Sequence, residues 1–464
     1  MRKIKTDIIP KDVGIIGTGD TLNYPAICIF LATGFFLEKD CWFQNQTALQ
    51  PATEYDLDEK EQIQSERVWW RWHYTPRDVT LKQATEEFAH LFESISRKQL
   101  GDKKIIIPLS GGIDSRTQAA ALKGNRNVFS YSYGFPNGLP ETRYGCSIAK
   151  AMGFEFEALT IPRGYLWDNL EQLADLNGCY SEFTHPRQMA FIDQYSDMGE
   201  IFYLGHWGDV LFDDMGVPDE MPYEQQVEVL LKKIVKKGGL ELAETLWAAW
   251  GLEGRFADYL RARVEQLLSD IDIDNANART RAFKSMYWAP RWTSTNLSIF
   301  SAARPVVLPY YHNDMCRFIC TVPEQHLADR KIQLEYLKMV APELARVPWQ
   351  AQRPFNQNNH HWNKPPWNLP YRVWNKTKNT LNSVFGKPLI QRNWEIQFLG
   401  DKNDRKLREH LFENEPFSDL VPTEMVKSFY KKFTSTDPVY YSHPVSMLLT
   451  LSVFSRKFWK EKAR

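Results

Sequence analysis

The sequence predicts an α/β fold, in which a parallel sheet with flanking helices follows a small β-rich unit and precedes a helical C-terminal part. Three observations lead to this prediction. A β-branched run at 105–107 leads through a glycine-containing loop directly into a helix-forming segment. Short apolar runs then alternate with helical patterns as far as residue 205. Beyond residue 222 the apolar spacing is helical almost throughout.

The β-rich unit is predicted to occupy residues 1–78. Its predicted strands are 26–32, 34–37 and 41–43, with a turn at 38–40. The charged stretch 54–66 is predicted to be a loop or linker.

A linker helix is predicted over residues 79–101. Apolar residues recur at helical spacing from Leu81 to Ile95, charged residues fill the other face, and Gly101 supplies the stop. This helix is expected to pack the small unit against the next part of the chain.

Residues 102–345 are predicted to form the sheet-containing domain. The predicted strands are 105–107, 128–133, 154–161 and 200–204, with helices at 117–123 and 141–152 between the first three. Helical segments are expected next at 223–237, 239–269, 280–302 and 312–340. Parallel sheets bind ligands at the carboxyl ends of their strands, where the glycine loop, Gly134 and Gly205 all fall.

Residues 346–464 are predicted to be a C-terminal extension. Prolines make 345–375 loop-rich, whereas the tail 405–464 is predicted to be helical. Its apolar run at 445–454 has no polar face, so we expect it to be buried against the body of the protein.

The glycine loop Ser110-Gly111-Gly112-Ile113-Asp114-Ser115 carries the clearest chemistry. Two glycines allow backbone N–H groups to turn inward, and the helix after them adds partial positive charge. Such a cup suits a polyphosphate, with Asp114 placed to hold Mg²⁺ on it. The simpler interpretation is a tight turn that caps a helix, but a cap needs only one polar residue.

Composition limits the partners. The chain has 57 basic and 57 acidic side chains, so no long-range field indicates nucleic acid or an anionic membrane. Its six cysteines are scattered without a paired motif, which is typical of a reducing cytoplasm. The basic N-terminus lacks an apolar stretch behind it, so no signal peptide is expected, and no apolar run is long enough to span a bilayer.

The glycine loop resembles the PP-loop, SGGxDS, of enzymes that cleave ATP between the α- and β-phosphates and release pyrophosphate. That group includes asparagine synthetase, GMP synthetase, argininosuccinate synthetase and some tRNA-modifying ligases. The loop alone does not choose among them.

Three further stretches resemble the asparagine synthetase-like family. In 203–214, YLGHWGDVLFDD, the residues that match its second signature are Gly205, Gly208, Asp209 and Phe212. Residues 304–349 are similar to its C-terminal pattern, and 31–52 to the end of its glutaminase domain. The resemblance covers roughly residues 25–355.

The resemblance implies a ligase that uses ATP and Mg²⁺ to adenylate a carboxylate, after which ammonia or an amine displaces AMP. Asp114 and Asp209 match the two Mg²⁺-binding aspartates. The implied nucleotide-binding residues are Leu109, Ser110, Gly111, Gly112, Asp114, Ser115, Tyr133 and Gly205. A partner protein or a homodimer is possible, whereas nucleic acid and membrane partners are not expected.

The chain departs from the family at several positions. Residue 2 is Arg where the family's glutaminase domain begins with a nucleophilic Cys, so we expect no glutaminase activity. His206 replaces an acidic residue that helps to deprotonate the amine, and His312 stands where Asp is common. Lys331 matches a family lysine. The lysine that stabilises adenylation falls near Gln352, beside Arg353.

Catalytic roles are therefore expected for His206, Lys331 and Arg353. Two other functions remain open: a non-catalytic or regulatory ATP-binding relative, and another PP-loop enzyme that modifies tRNA or nucleotides. The balanced charge and the absence of zinc-ligand spacing count against the second. The carboxylate itself is not indicated by the sequence.

Overall fold

The structure is a computed structural model that describes residues 2–139, 141–384 and 389–459, with side chains described as far as 377 and again from 389. Its strands are β1 Arg2–Lys5, β2 Ile15–Ile16, β3 Thr47–Ala48, β4 Thr53–Leu57, β5 Ile63–Val68, β6 Ile105–Pro108, β7 Val128–Gly134, β8 Glu155–Thr160, β9 Ile201–Tyr203 and β10 Val306–Val307.

Helices make up most of the remainder. They are α1 Tyr24–Thr33, α2 Leu81–Leu100, α3 Asp114–Ala121, α4 Glu141–Met152, α5 Tyr165–Asn177, α6 Tyr195–Met198, α7 Gly208–Leu211, α8 Tyr223–Ile234, α9 Gly239–Ala249, α10 Phe256–Ser269, α11 Ala276–Phe283, α12 Thr295–Ala303, α13 Asn313–Ile319, α14 Glu324–Leu327, α15 Lys331–Val340, α16 Pro342–Ala345, α17 Leu369–Val384, α18 Asn393–Gln397, α19 Asp401–Phe412, α20 Glu415–Leu420, α21 Thr423–Ser435 and α22 Pro438–Phe454.

A parallel sheet lies at the centre of the fold. Among the described residues it has five strands in the order β10-β9-β6-β7-β8. The chain runs from β6 outward to β7 and β8, and then returns to place β9 and β10 on the other side of β6. The strand order therefore reverses between β6 and β9, which is where ligands bind in open α/β sheets.

The α/β prediction is confirmed. Each of the four strands predicted from alternation lies in this sheet, and α4 has the predicted bounds. The strand β10 was not predicted, because two residues, Val306 and Val307, give too short a pattern to recognise. The predicted helix 239–269 is two helices, α9 and α10, and 312–340 is divided among α13, α14 and α15.

The N-terminal prediction is wrong in two places. The run 26–32 is not a strand but the buried helix α1, and 34–37 and 41–43 are not strands apart from an isolated bridge at Phe43. The charged stretch 54–66 is not a linker, since it contains most of β4 and β5, which pair with each other and with β1 as an antiparallel sheet. The predicted turn at 38–40 is confirmed.

The helical segment 276–303 changes its winding along its length. It begins as α11, continues as a π-helix over Lys284–Ser294 that contains Pro290, and ends as α12. A proline inside a helix removes a backbone donor, and π-helical turns are frequent at functional sites. The wide winding places Lys284, Trp288 and Trp292 on the same wall of a cavity.

One hydrophobic core joins the N-terminal and C-terminal parts. Trp42 stacks on Phe454 with ring centroids 3.9 Å apart, and residues 445–454 are buried as predicted. The predicted helical tail is confirmed from residue 405 to Trp459, and residues 460–464 lie outside the described residues. Within the described ranges, no helix has both the length and the apolar composition that crossing a membrane requires.

Candidate functional site

A cavity of about 540 Å³ opens at the point where the strand order reverses. Its walls come from the loops after β6 and β9, from the end of β7 and from the π-helix. Sequence-predicted residues that line it are Leu109, Ser110, Asp114, Ser115, Tyr133, Gly205, His206 and Asp209. The structure therefore brings most of the predicted site residues into one space, of the size that small-molecule ligands occupy.

The glycine loop is held by its own serines and by the segment after α16. The Ser110 backbone N–H donates to Ser115 Oγ (3.1 Å), and the Gly112 N–H donates to Ser110 Oγ (3.3 Å). Gln350 packs directly on Gly111, donating its backbone N–H to the Gly111 carbonyl (3.2 Å). A Cβ on Gly111 would overlap the Gln350 side chain, so glycine is required for this close approach.

Asp114 begins α3 and faces two partners from the other end of the domain. Arg330 Nη2 and Gln333 Nε2 (3.0 Å) both donate to Asp114 Oδ1. Burial nevertheless raises the pKa of Asp114 to about 6, with Arg330 lowering it and Asp209 raising it further. The carboxylates of Asp114 and Asp209 thus repel one another at a site where Asp114 is partly shielded from water.

The loop after β9 brings the second carboxylate close to the first. Trp207 adopts a left-handed conformation (φ 77°) and leads into the single turn of α7, where Gly208 lies against Asp114. A Cβ on Gly208 would overlap Asp114 Oδ1, and one on Gly205 would come within 3.2 Å of Asp114 Cβ. The two glycines therefore let the Asp209 loop approach the Asp114 loop closely.

His206 lies in the cavity as a neutral imidazole. Burial lowers the pKa of His206 to about 4, although the negative charge of Asp209 has the smaller effect of raising that pKa. Its Nδ1 is buried without a hydrogen-bond partner. An unpaired nitrogen on a neutral ring can accept a proton or a hydrogen bond from a ligand.

The wall opposite the glycine loop is aromatic and cationic. Lys284 Nζ lies 5.7 Å from the ring centroid of Trp207 and 5.3 Å from that of Trp288. Burial lowers the pKa of Lys284, while Asp209 supports its charged form. Cations held between indole faces are partly dehydrated, so Lys284 interacts more strongly with an anionic ligand than a surface lysine would.

Four predicted site residues do not line the cavity. Gly111 and Gly112 belong to the loop that Gln350 covers on its other side. Lys331 Nζ donates to the Gln325 carbonyl (2.9 Å). Arg353 lies near Tyr144 on α4, where its charge opposes the rise that burial causes in the Tyr144 pKa. The catalytic roles expected for Lys331 and Arg353 therefore have no support from this placement and remain predictions.

Three residues at the site, Arg330, Gln333 and Lys284, were not predicted from the sequence. Asp329 and Arg330 are consecutive left-handed residues (φ 59° and 61°) just before α15, so Arg330 reaches Asp114 while the next residue, Lys331, faces elsewhere. Nothing local in the sequence indicates such a turn in non-glycine residues. Lys284, Trp288 and Trp292 are spaced four residues apart in the sequence, and that spacing indicates that they share one face of a helix.

No protein-family model matches the chain, and a search of curated proteins finds no significant match.

Proposed function

We propose that this chain is an ATP-dependent amide-forming ligase with a PP-loop site, of the asparagine synthetase-like type. The observation that carries the proposal is the pairing of two loops at the reversal of strand order. One loop supplies the SGGxDS residues and Asp114, and the other supplies Asp209. Two carboxylates beside a glycine loop and a helix N-terminus suit ATP with Mg²⁺.

The nucleotide would occupy the cavity with its phosphates at the loop 110–115. Leu109 and Gly205 contribute backbone to the walls, and Tyr133, held by Gln188 through a 3.0 Å hydrogen bond, contributes an aromatic face. The triphosphate would then lie between the α3 N-terminus and Lys284. Both carry positive potential.

The donor set suits a hard divalent cation. Mg²⁺ bound with a nucleotide uses one or two carboxylates together with phosphate oxygens, and Asp114 and Asp209 are of that type. Their repulsion, which helps to raise the pKa of Asp114, is what a cation between them would relieve. When bound, Mg²⁺ would neutralise phosphate charge and orient the nucleotide.

The proposed reaction has two steps. A carboxylate oxygen of the substrate attacks the α-phosphorus of ATP, the bond from that phosphorus to the bridging oxygen breaks, and pyrophosphate leaves. Ammonia or an amine then attacks the acyl carbon, the bond to AMP oxygen breaks, and the nitrogen loses a proton. Positioning and charge neutralisation provide most of the acceleration in such transfers.

Two side chains suit these steps. Lys284 is a cation on the cavity wall that can balance the charge developing on the phosphates. His206 is unprotonated near neutral pH and can accept the proton that the amine loses. His206 would thus take the role expected from the sequence, whereas Lys284 would take the role in adenylation that was expected near Arg353.

A second candidate, a non-catalytic ATP-binding relative, is favoured by one contact. Arg330 donates to Asp114 Oδ1, and a guanidinium there competes with a metal ion for the same oxygen. A chain in which this ion pair persists would bind nucleotide without using its carboxylate for Mg²⁺.

Carboxylate-dependent exchange of labelled pyrophosphate into ATP separates the two candidates. The ligase should catalyse the exchange with at least one acid from a broad carboxylate panel, and Asp114→Asn should lower the rate by at least about a hundredfold through loss of the site's charge. Asp214→Asn, on an exposed residue beside the site, is the matched control. ATP binding without exchange for every acid would favour the non-catalytic candidate.

The amine source gives an independent check. Cys28 and Cys41 are fully buried, and burial raises the pKa of both thiols, so neither is a reactive nucleophile. Ammonium salts should therefore support amide formation, whereas glutamine should not. Glutamine-driven amide formation by the purified chain would contradict the expectation.

A further inference from the structure

Residues 344–394 have an unusual charge for this chain. They contain eight basic side chains and no acidic one, although the whole protein has equal numbers of both. They also contain five of its 16 tryptophans. A local surface that is both basic and rich in tryptophan can therefore exist on a protein with no net charge.

The part of this segment from His360 to Thr377, here called the aromatic-basic segment, exposes its apolar side chains. Trp362, Trp367 and Trp374 are 49%, 63% and 69% exposed, and Trp362 stacks on Trp367 with centroids 6.1 Å apart. Leu369 and Val373, one turn apart on α17, are also exposed. The segment therefore exposes an apolar stretch of five side chains, two of which stack on each other.

The helix α17 differs from an ordinary surface helix because apolar side chains lie on its solvent-facing side. In the part of α17 whose side chains are described, residues 369–377, Tyr371 and Asn375 are the partly buried residues, and Tyr371 lies near Tyr144 on α4. Leu369, Val373 and Trp374 lie on the solvent side, with Arg372 exposed beside them. A surface helix normally buries its apolar face, so this one presents to solvent the face that would otherwise be covered.

Hydrogen bonds fix the segment in this orientation. Asn368 is buried and donates to Asn363 Oδ1 (3.1 Å), and Asn363 donates to Gln352 Oε1 (2.7 Å). Gln352 is two residues from Gln350, which covers the glycine loop. Hydrogen bonds between side-chain amides therefore connect the exposed face to the segment that covers the glycine loop.

We propose that the aromatic-basic segment docks the protein on an anionic lipid bilayer as a peripheral, interfacial element. Tryptophan, leucine and valine would enter the boundary between headgroups and acyl chains, while Lys364 and Arg372 would contact lipid phosphates. The absence of acidic residues from 344 to 394 removes the repulsion that such a surface would otherwise cause. This inference does not depend on the proposed ligase activity, and it replaces the expectation of no membrane partner, which was drawn from the balanced charge of the whole chain.

Lipid is favoured over the other occupants by the kind of apolar residue present. Aliphatic Leu369 and Val373 offer no stacking face for nucleic acid bases. A second copy of the chain would bring two strongly basic surfaces together, which is unfavourable. An anionic bilayer satisfies both the charge and the apolar stretch.

Vesicle flotation of the full chain tests the proposal. Vesicles of phosphatidylcholine with phosphatidylglycerol should bind the protein, and those of phosphatidylcholine alone should bind it much less. Trp367→Ser with Trp374→Ser should lower the partition coefficient by at least about tenfold. Lys364→Gln with Arg372→Gln should lower it by about tenfold or more, since each basic residue near an anionic surface contributes about fivefold.

Matched controls change similar residues elsewhere. Val68→Ser with Met339→Ser alters apolar side chains that are 45% and 50% exposed, and Lys98→Gln with Lys103→Gln alters exposed lysines. Both pairs should keep wild-type partitioning. Thermal melts identify any variant that fails to fold. Equal binding to both vesicle types would overturn the proposal, and so would equal losses of binding in the control variants. Absence of vesicle binding would also overturn it. In that case, dimerisation seen by light scattering would indicate a second copy of the chain as the occupant, and retention of a tRNA pool would indicate nucleic acid.

Discussion

At the scale of single residues, Asp114 shows how one side chain joins distant parts of the chain. Its carboxylate lies against Gly208 from the β9 loop and accepts from Arg330 and Gln333, which are 216 and 219 residues further along. These contacts hold the two loops of the candidate site at a fixed separation. Asp114 is therefore a positioning residue as well as a proposed metal ligand.

Only some of the contacts around Asp114 could be predicted from the sequence. The glycine loop and the Gly205-Gly208-Asp209 pattern are local, and they come directly after predicted strands, so their meeting at one sheet edge could be expected. The Arg330 contact depends on two left-handed non-glycine residues and on long-range packing. No local pattern encodes either of these, so the partner of Asp114 could not be predicted.

Buried histidines predict a specific response of stability to pH. His443 on α22 donates through Nε2 to the Leu31 carbonyl (2.8 Å), and burial lowers its pKa to about 4. Its unfolded value is about 6.5, so between pH 6.5 and 4 the unfolded chain binds the extra proton. Stability is therefore fully present above pH 6.5 and falls as the pH drops through this window.

The variant His443→Gln should make that fall shallower. Glutamine can still donate to the Leu31 carbonyl but does not titrate, so the loss of unfolding free energy from pH 7.5 to 4.5 should decrease by about 2 kcal/mol. Urea unfolding of both chains at each pH measures this. The difference between the chains at pH 7.5 serves as the reference, and identical pH slopes would contradict the prediction.

At the scale of elements, Arg116 fastens α3 to the segment after α16. The side chain is completely buried and donates to the carbonyls of Leu344 (3.1 Å), Val347 (2.9 Å) and Pro348 (3.1 Å). Burial lowers its pKa to about 10, which still leaves it charged near pH 7. Because α3 begins at Asp114, this contact also supports the glycine loop and the Gln350 turn above it.

Replacing Arg116 should therefore be costly. Arg116→Met removes a buried donor from three carbonyls, of which the Leu344 carbonyl keeps a second donor, the Val347 N–H (3.1 Å). We therefore expect a loss of about 3–5 kcal/mol of unfolding free energy. Lys123→Met is the matched control: Lys123 reaches the Val340 carbonyl and Glu343 of the same region but is 46% exposed, so its loss should cost about 1 kcal/mol or less. Denaturant unfolding compares the two, and equal costs would show that Arg116 contributes no more than a surface lysine.

The elements that were mispredicted share a physical cause. The α1 run is apolar on every side, and such a run carries no period that distinguishes a buried helix from a buried strand. Its ends did carry signals, since Asn23 caps the helix, Pro25 lies in its first turn and Gly34 closes it in a left-handed conformation. By contrast, β4 buries alternate residues and β5 is exposed along nearly its whole length, so both strands can carry charged side chains and high charge alone does not indicate a linker.

At the scale of the whole molecule, the N-terminal unit shares its core with the rest of the chain. The backbone of α1 touches Gly239 at the start of α9, where a Cβ would overlap the Ala32 carbonyl, and Trp42 stacks on Phe454 of α22. Thr75 N–H donates to the Cys320 carbonyl (2.9 Å). Boundaries drawn from sequence at residue 78 therefore do not coincide with a gap in packing.

We expect the chain to unfold as one unit. Calorimetry should give a single transition, and a chain of residues 79–464 should show no cooperative transition, because removal of α1 exposes the apolar surface of α9 and α22. A chain that begins at Thr6 is the control, since it lacks only β1, whose residues are mostly exposed. Two separate transitions, or a cooperative 79–464 fragment, would contradict the shared core.

The contact between α1 and α22 also has a consequence for synthesis on the ribosome. His443 and Leu31 are 412 residues apart, so the N-terminal helix emerges long before the surface that buries it. At about 5–20 residues per second, this interval lasts roughly 20–80 s. During that time α9 can cover one side of α1, but the side that packs on α22 has no native cover. The growing chain should therefore depend on chaperones until translation is almost complete.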